Sequence, residues 1–135
     1  MSKYFKLEEL LYSKKALDKK IQNNPSWEVV ENLKELSEKI LDPLREKFGS
    51  PISVTSGFRS EKLNKEVKGS KTSQHMKGEA ADITCKDNKK LFQIAEEMVK
   101  NGEIKVRQLI DEYDYSWIHI SLPNGNNPNQ ILHLK

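Results

Sequence analysis

The ten residues from Ser73 to Asp82 constrain this chain more than any other stretch, because they ask a loop histidine to face a strand aspartate. His75 and Asp82 supply an imidazole and a carboxylate, the donor types a borderline divalent metal ion takes when it keeps an open coordination position. Gly78 removes the Cβ where the chain must turn sharply. Ala80 and Ala81 keep the following segment narrow enough to run close to another backbone. By themselves, a histidine and an aspartate at this spacing more often mark a solvated loop than a pair of ligands. A second segment changes the balance: Trp117-Ile118-His119-Ile120-Ser121 alternates as a strand does and offers another imidazole. His75, Asp82 and His119 together would leave one position for water.

The rest of the chain predicts a single α+β domain over residues 1–135, with helices packed on a small antiparallel sheet. At this length a core can be buried without disulfides, and the one cysteine, Cys85, has no partner to pair with. Cys85 follows Asp82 by three residues, so on a regular strand it faces the other way and reads as a small core residue. Phe5, Leu7, Leu10 and Leu11 form a short amphipathic segment, and the polar, Lys-rich stretch Ser13 to Asn24 reads as an exposed connection. Asn24 and Pro25 predict a cap and first turn, followed by an apolar stripe of Trp27, Val30, Leu33, Leu36, Ile40, Leu41, Leu44 and Phe48 that reads as core. Pro43 inside this pattern predicts a kink or restart.

Pro51 to Ser56, Glu79 to Cys85, Val106 to Glu112 and Ser116 to Leu122 read as strands, the last two as a hairpin around Tyr113-Asp114-Tyr115. Asn88 to Asn101 reads as a second amphipathic helix stopped by Gly102, residues 123–129 as a loop, and Gln130 to Leu134 as an edge strand. His133 is expected at the surface, because a fourth protein ligand would close the metal site to water.

Three motifs in this order resemble a known family. Ser73, His75, Gly78, Ala80 and Asp82 match the pattern Ser-x-His-x-x-Gly-x-Ala-x-Asp; Trp117 and His119 match Trp-x-His; and Ser56-Gly57-Phe58-Arg59-Ser60 with Asn64 matches a Ser-Gly-aromatic-Arg-Ser loop and its asparagine. These are features of the zinc D-alanyl-D-alanine carboxypeptidases and related phage endolysin peptidases, M15-type enzymes of the hedgehog/DD-peptidase fold. The resemblance implies Zn²⁺ as cofactor, held by His75, Asp82 and His119. It implies a peptidoglycan stem-peptide substrate, cut as a D-Ala-D-Ala carboxypeptidase or an L-Ala-D-Glu endopeptidase, and a phage or prophage setting.

It also assigns roles. Arg59, by itself a surface arginine, becomes a clamp for a substrate carboxylate. Ser73 either donates a hydrogen bond toward substrate or a ligand, or caps backbone groups. Trp117 either walls the cleft or packs on the hairpin. Relatives commonly carry an acid three residues before the last histidine, where this chain has Ser116, so the general base must be sought elsewhere. Gln108-Leu109-Ile110-Asp111-Glu112 matches one subgroup's Gln-Leu-Ile-x-Glu and points to Glu112, with Asp114 second. The alternative is that Asp111, Glu112 and Asp114 are all solvated turn carboxylates. A register pairing Gln108 with His119 turns Glu112 to the metal face, and a shift by one turns it away. Where relatives often have Val-Gly-Gly, this chain has Val67-Lys68-Gly69.

Met1 to Lys6 is followed by no apolar run, so synthesis in the cytoplasm without a signal peptide or membrane span is expected, with access to the wall after lysis. The net charge of +3 comes from interleaved rather than clustered basic residues, which predicts neither a nucleic-acid nor a membrane partner. A monomer is expected. Two other functions compete: a metal-retaining, non-catalytic binding module, motivated by Ser116, and a cytosolic D-Ala-D-Ala dipeptidase, motivated by the missing signal.

Overall fold

The computed structural model describes residues 2–125 and 128–134, so two positions of the predicted loop 123–129, Asn126 and Asn127, lie outside the described residues. The elements run α1 (Leu7–Leu11), α2 (Lys14–Asp18), α3 (Trp27–Leu36), a π turn (Ser37–Leu41), α4 (Asp42–Phe48), β1 (Ser53–Ser56), α5 (Glu61–Glu66), a 3-10 turn (Gln74–Lys77), β2 (Ala80–Thr84), α6 (Asn88–Lys100), β3 (Gln108–Glu112), β4 (Trp117–Ser121) and β5 (Gln130–Leu134). The strands form one sheet in the order β1-β2-β4-β3-β5. This is the expected α+β architecture. The pairs β1–β2, β2–β4 and β3–β4 are antiparallel, and β5 adds an edge strand parallel to β3.

Strand alternation divides the sheet into two faces. Ala81, Ile83, Leu109, Ile118 and Ile120 are buried and join the core with Leu33, Leu36, Ile40, Leu41 and Leu44 from the long helical run and Leu91, Phe92 and Ala95 from α6. At roughly 25 cal/mol per Å² of apolar area removed from water, burial of this kind is the main source of stability. The opposite face carries the polar residues of the same strands, and the site is built there.

The long helical run departs from the sequence expectations in three places. Its cap is Ser26, whose hydroxyl accepts from the Val29 N–H, so Asn24 and Pro25 lie ahead of the helix rather than opening it. Trp27 then falls in the first turn and is 77% exposed, outside the core stripe to which its spacing assigned it. In the same turn Val29 is buried in the core, so it is Val29 rather than Trp27 that faces inward. The restart predicted at Pro43 takes the form of the π turn directly before it, in which the Asp42 N–H reaches back to the Ser37 carbonyl. The wider turn accommodates a residue that cannot donate and whose ring would strike a carbonyl.

The segment Ser13 to Asn24 is also more than an exposed connection. It contains α2, capped by Ser13, and Ala16 and Ile21 are buried against Leu63 in a small second cluster. Asn23 closes the segment onto the β1–α5 loop. Its amide donates to the Leu11 and Phe58 carbonyls, and its oxygen accepts from the Ser60 N–H. Helix α6 follows its predicted bounds. Asp87 caps it, and it ends where the Gly102 and Glu103 N–H groups return to the Val99 and Met98 carbonyls.

Candidate metal centre

Cross-strand register places the site. Asp82 on β2 stands opposite His119 on β4, and His119 stands opposite Ile110 on β3. Ile110, rather than Gln108, is therefore the partner of His119; Gln108 is one hydrogen-bonding step further along, level with Ser121. The shift is by two residues, which keeps parity, so Glu112 falls on the His119 face and pairs with Trp117. Asp111 faces the core side.

His75 reaches the same point from the 3-10 turn. Ser73 caps that turn, its hydroxyl accepting from the His75 N–H at 3.1 Å. Gly78 ends it at φ +72°, where a Cβ would come within 2.7 Å of the Val29 carbonyl oxygen, so both the backbone angle and the close helix require glycine. Gly57 is equally pressed, because a Cβ there would collide with the Leu10 carbonyl.

Three ligand-type atoms converge. His75 Nε2 lies 3.2 Å and His119 Nδ1 3.1 Å from the same Asp82 oxygen, and all three atoms fall within 4.8 Å of one another. The other ring nitrogen of His75, Nδ1, donates to the Gly57 carbonyl at 2.7 Å. A carbonyl can only accept, so this contact puts the proton on Nδ1 and aims the Nε2 lone pair at Asp82. A lone pair facing a carboxylate oxygen is repulsive unless a cation lies between them. Either an imidazole is protonated or a metal ion takes the proton's place. Tetrahedral ligands held at about 2.1 Å from an ion stand about 3.4 Å apart, close to the two spacings to Asp82 found here. The donor set therefore fits a divalent metal. Burial opposes charge on Asp82, but hydrogen bonds and charge from His119 and His75 outweigh it and hold the carboxyl well below the usual carboxylate range.

The group opens into a cleft of about 480 Å³ that Arg59, Ser73, Glu112 and Trp117 also line. Burial pushes the Arg59 guanidinium down from its ordinary pKa, while Asp82 and Glu112 pull it back up. Arg59 Nε and Trp117 Nε1 are buried without a hydrogen-bond partner among the described residues. Trp117 thus walls the cleft and also packs on the hairpin, its ring 5.0 Å from Tyr113. A larger cavity of about 890 Å³ lies beyond Lys68 and Gly69, lined by Phe58, Lys65 and Met76. It holds no histidine, so size does not locate the chemistry.

Asp114 is not brought to the cleft. It sits exposed at the hairpin tip, where Tyr113, Asp114 and Tyr115 all adopt positive φ. Ser116 is exposed too, and its hydroxyl donates to the Tyr113 carbonyl at 2.6 Å. His133 stays outside the centre, as expected, bonding Asp111 on the other face. Cys85 is partly buried against the core. Lys68 takes φ +59°, the conformation glycine would favour at this position. Sequence reasoning missed Asn23, which holds the backbone on both sides of Arg59, and the Gly57 carbonyl, which orients His75. Neither carries a sequence signal, because one is an asparagine in a polar stretch and the other is backbone.

A sheet whose polar face gathers two imidazoles and a carboxylate under an open cleft defines a metal-binding class of site with a coordination position left open. Residues 3–121 match the family described as Peptidase M15, and the chain belongs to that family of metallopeptidases. No curated protein matches the chain. Among the described residues, no helix is long and apolar enough to cross a membrane.

Proposed function

We propose that the protein is a zinc peptidase that cleaves peptidoglycan stem peptides, as a D-Ala-D-Ala carboxypeptidase or an L-Ala-D-Glu endopeptidase, in a phage or prophage lytic setting. The observation that carries this reading is the convergence of His75, Asp82 and His119 with Glu112 on the same face, one cross-strand pair away. Zn²⁺ held by these three residues would lower the pKa of a water from about 15.7 to near 7 and polarise a carbonyl.

The chain's own residues supply what remains. Glu112 accepts the proton released by the attacking water and returns it to the leaving amine, the work of a general base and acid. Arg59 grips a substrate carboxylate with two parallel hydrogen bonds, which also satisfies its buried Nε. Trp117 gives its unpaired indole N–H to a peptide carbonyl. Ser73 accepts from the His75 backbone and keeps its own hydroxyl hydrogen to donate to substrate. A carboxyl-terminal substrate suits Arg59 best, since a free terminal carboxylate gives it a partner.

The deciding experiment is metal analysis of the purified protein followed by digestion of muropeptides and mass spectrometry of the fragments. One zinc per chain with new fragments supports the peptidase and identifies the bond. Bound zinc with intact muropeptides makes it a metal-retaining binding module. Cleavage of free D-Ala-D-Ala alone makes it a dipeptidase.

A further inference from the structure

The cleft contains a second arginine that the metal chemistry does not use. Arg107 immediately precedes β3 and lines the cleft from the end of that strand opposite Glu112. Its backbone is pinned on both sides: the Arg107 N–H donates to the Ser121 carbonyl at 3.0 Å, and its carbonyl accepts from the Gln130 N–H at 2.9 Å. The guanidinium is packed as closely. Gly125, at φ +99°, lies against it so tightly that a Cβ would stand 2.9 Å from Nη1 and 3.3 Å from Cζ. The positive φ favours glycine at this position, and its bare backbone lies in contact with the guanidinium.

Among the described residues this positioned cation has no anion. Arg107 Nε is buried without a hydrogen-bond partner among the described residues, and neither Arg107 nor Arg59 joins any ion pair found among them. The chain has 20 acidic residues to offer, yet among the described residues the cleft's carboxylates are Asp82, committed to the metal group, and Glu112. Glu112 lies five residues along β3 from Arg107, about 17 Å at roughly 3.4 Å per residue. A buried, unpaired hydrogen-bonding group is costly, and a guanidinium fork in a cleft is shaped for a carboxylate.

We propose that Arg107 is a second anion-binding residue of the cleft, so that the preferred substrate is an acidic peptide with two carboxylates, one gripped by Arg59 and the other by Arg107. The inference rests on reading the cleft as a peptide site. It adds a specificity-determining residue and narrows the substrate class. Ser121, which Arg107 bonds, lies two residues beyond His119 on β4, about 7 Å.

The test uses synthetic stem-type peptides in which each internal carboxylate is in turn left free or converted to the primary amide. For each pair, kcat/KM is measured with the zinc-loaded wild-type protein, Arg107→Gln and Arg107→Lys. Wild type should favour one free acid over its amide by roughly ten- to a hundredfold, mostly through KM. Arg107→Gln should bring that ratio to within about threefold of unity, and Arg107→Lys should fall between. Each ratio is taken within one protein preparation, so a loss of folded protein cancels. Equal cleavage of acid and amide by wild type, or an undiminished preference in Arg107→Gln, overturns the proposal while leaving the peptidase intact. If no peptide is cut, tryptophan fluorescence reads binding of the same pairs. An acid preference that vanishes in Arg107→Gln then upholds the anion site and sinks the hydrolase, whereas indifference sinks both.

Discussion

The two faces of one sheet each carry a histidine beside an aspartate, and they differ in what holds the imidazole. On the cleft face, His75 and His119 close on one oxygen of Asp82, and the Gly57 carbonyl turns the Nε2 lone pair of His75 inward. On the other face, His133 of the edge strand bonds the buried Asp111 of β3, and its ring lies 5.1 Å from Phe92. The first arrangement brings three donors around a common point and opens to a cleft. The second pairs one imidazole, more than half exposed, with one buried carboxylate at a sheet edge. Proximity of histidine to aspartate is common to both; a ligand set requires convergence and an oriented lone pair.

The largest effect should come from breaking the convergence. His119→Ala or Asp82→Ala should reduce zinc from one per chain to near none and hydrolysis by at least about a thousandfold, read by metal analysis and peptide assay. His133→Ala should keep the full metal content; its loss there would erase the distinction between the faces. Next come the neighbouring acids of β3, which point to opposite faces. Glu112→Gln should lower kcat by about 10² to 10⁴ with zinc retained, whereas Asp111→Asn and Asp114→Asn should leave kcat within a fewfold of wild type. A third measurement addresses stability. His133→Ala leaves the Asp111 carboxylate buried without its partner and should cost about 1–3 kcal/mol in urea unfolding, with kcat little changed. The smallest effect belongs to Ser116→Glu. This restores an acid where relatives commonly carry one, but at an exposed hairpin position it should alter kcat by no more than about twofold.

Much of the site was legible because strand parity is strict. Once Trp117-Ile118-His119 reads as a strand, His119 and Trp117 must share a face, and Gly78 between His75 and Asp82 announces the turn that lets them meet. Whether Glu112 joined them was not legible, since a slip of one residue reverses every side chain and nothing local sets the register of a four-residue tip. The misplaced features share a cause. Trp27 fits the helical period but lies on the outward side of a turn whose inward side is taken by Val29, and Ala16 and Ile21 are too few and too spread to signal a helix, yet Leu63 gives them a partner. Asn23 and Arg107 looked like ordinary polar residues, because their contacts come from segments far away in sequence.

The sequence by itself determined the donor types, the order in which they are met and the alternation that separates a core face from a polar one, all of which follow from side-chain chemistry and the two-residue period of a strand. Tertiary structure alone decided that Ile110 stands opposite His119, that the Gly57 carbonyl orients His75, and that two arginines share one cleft with no ion pair to either among the described residues. Register, tautomer and charge balance are relations between distant backbone segments, and they exist only once the chain has closed on itself.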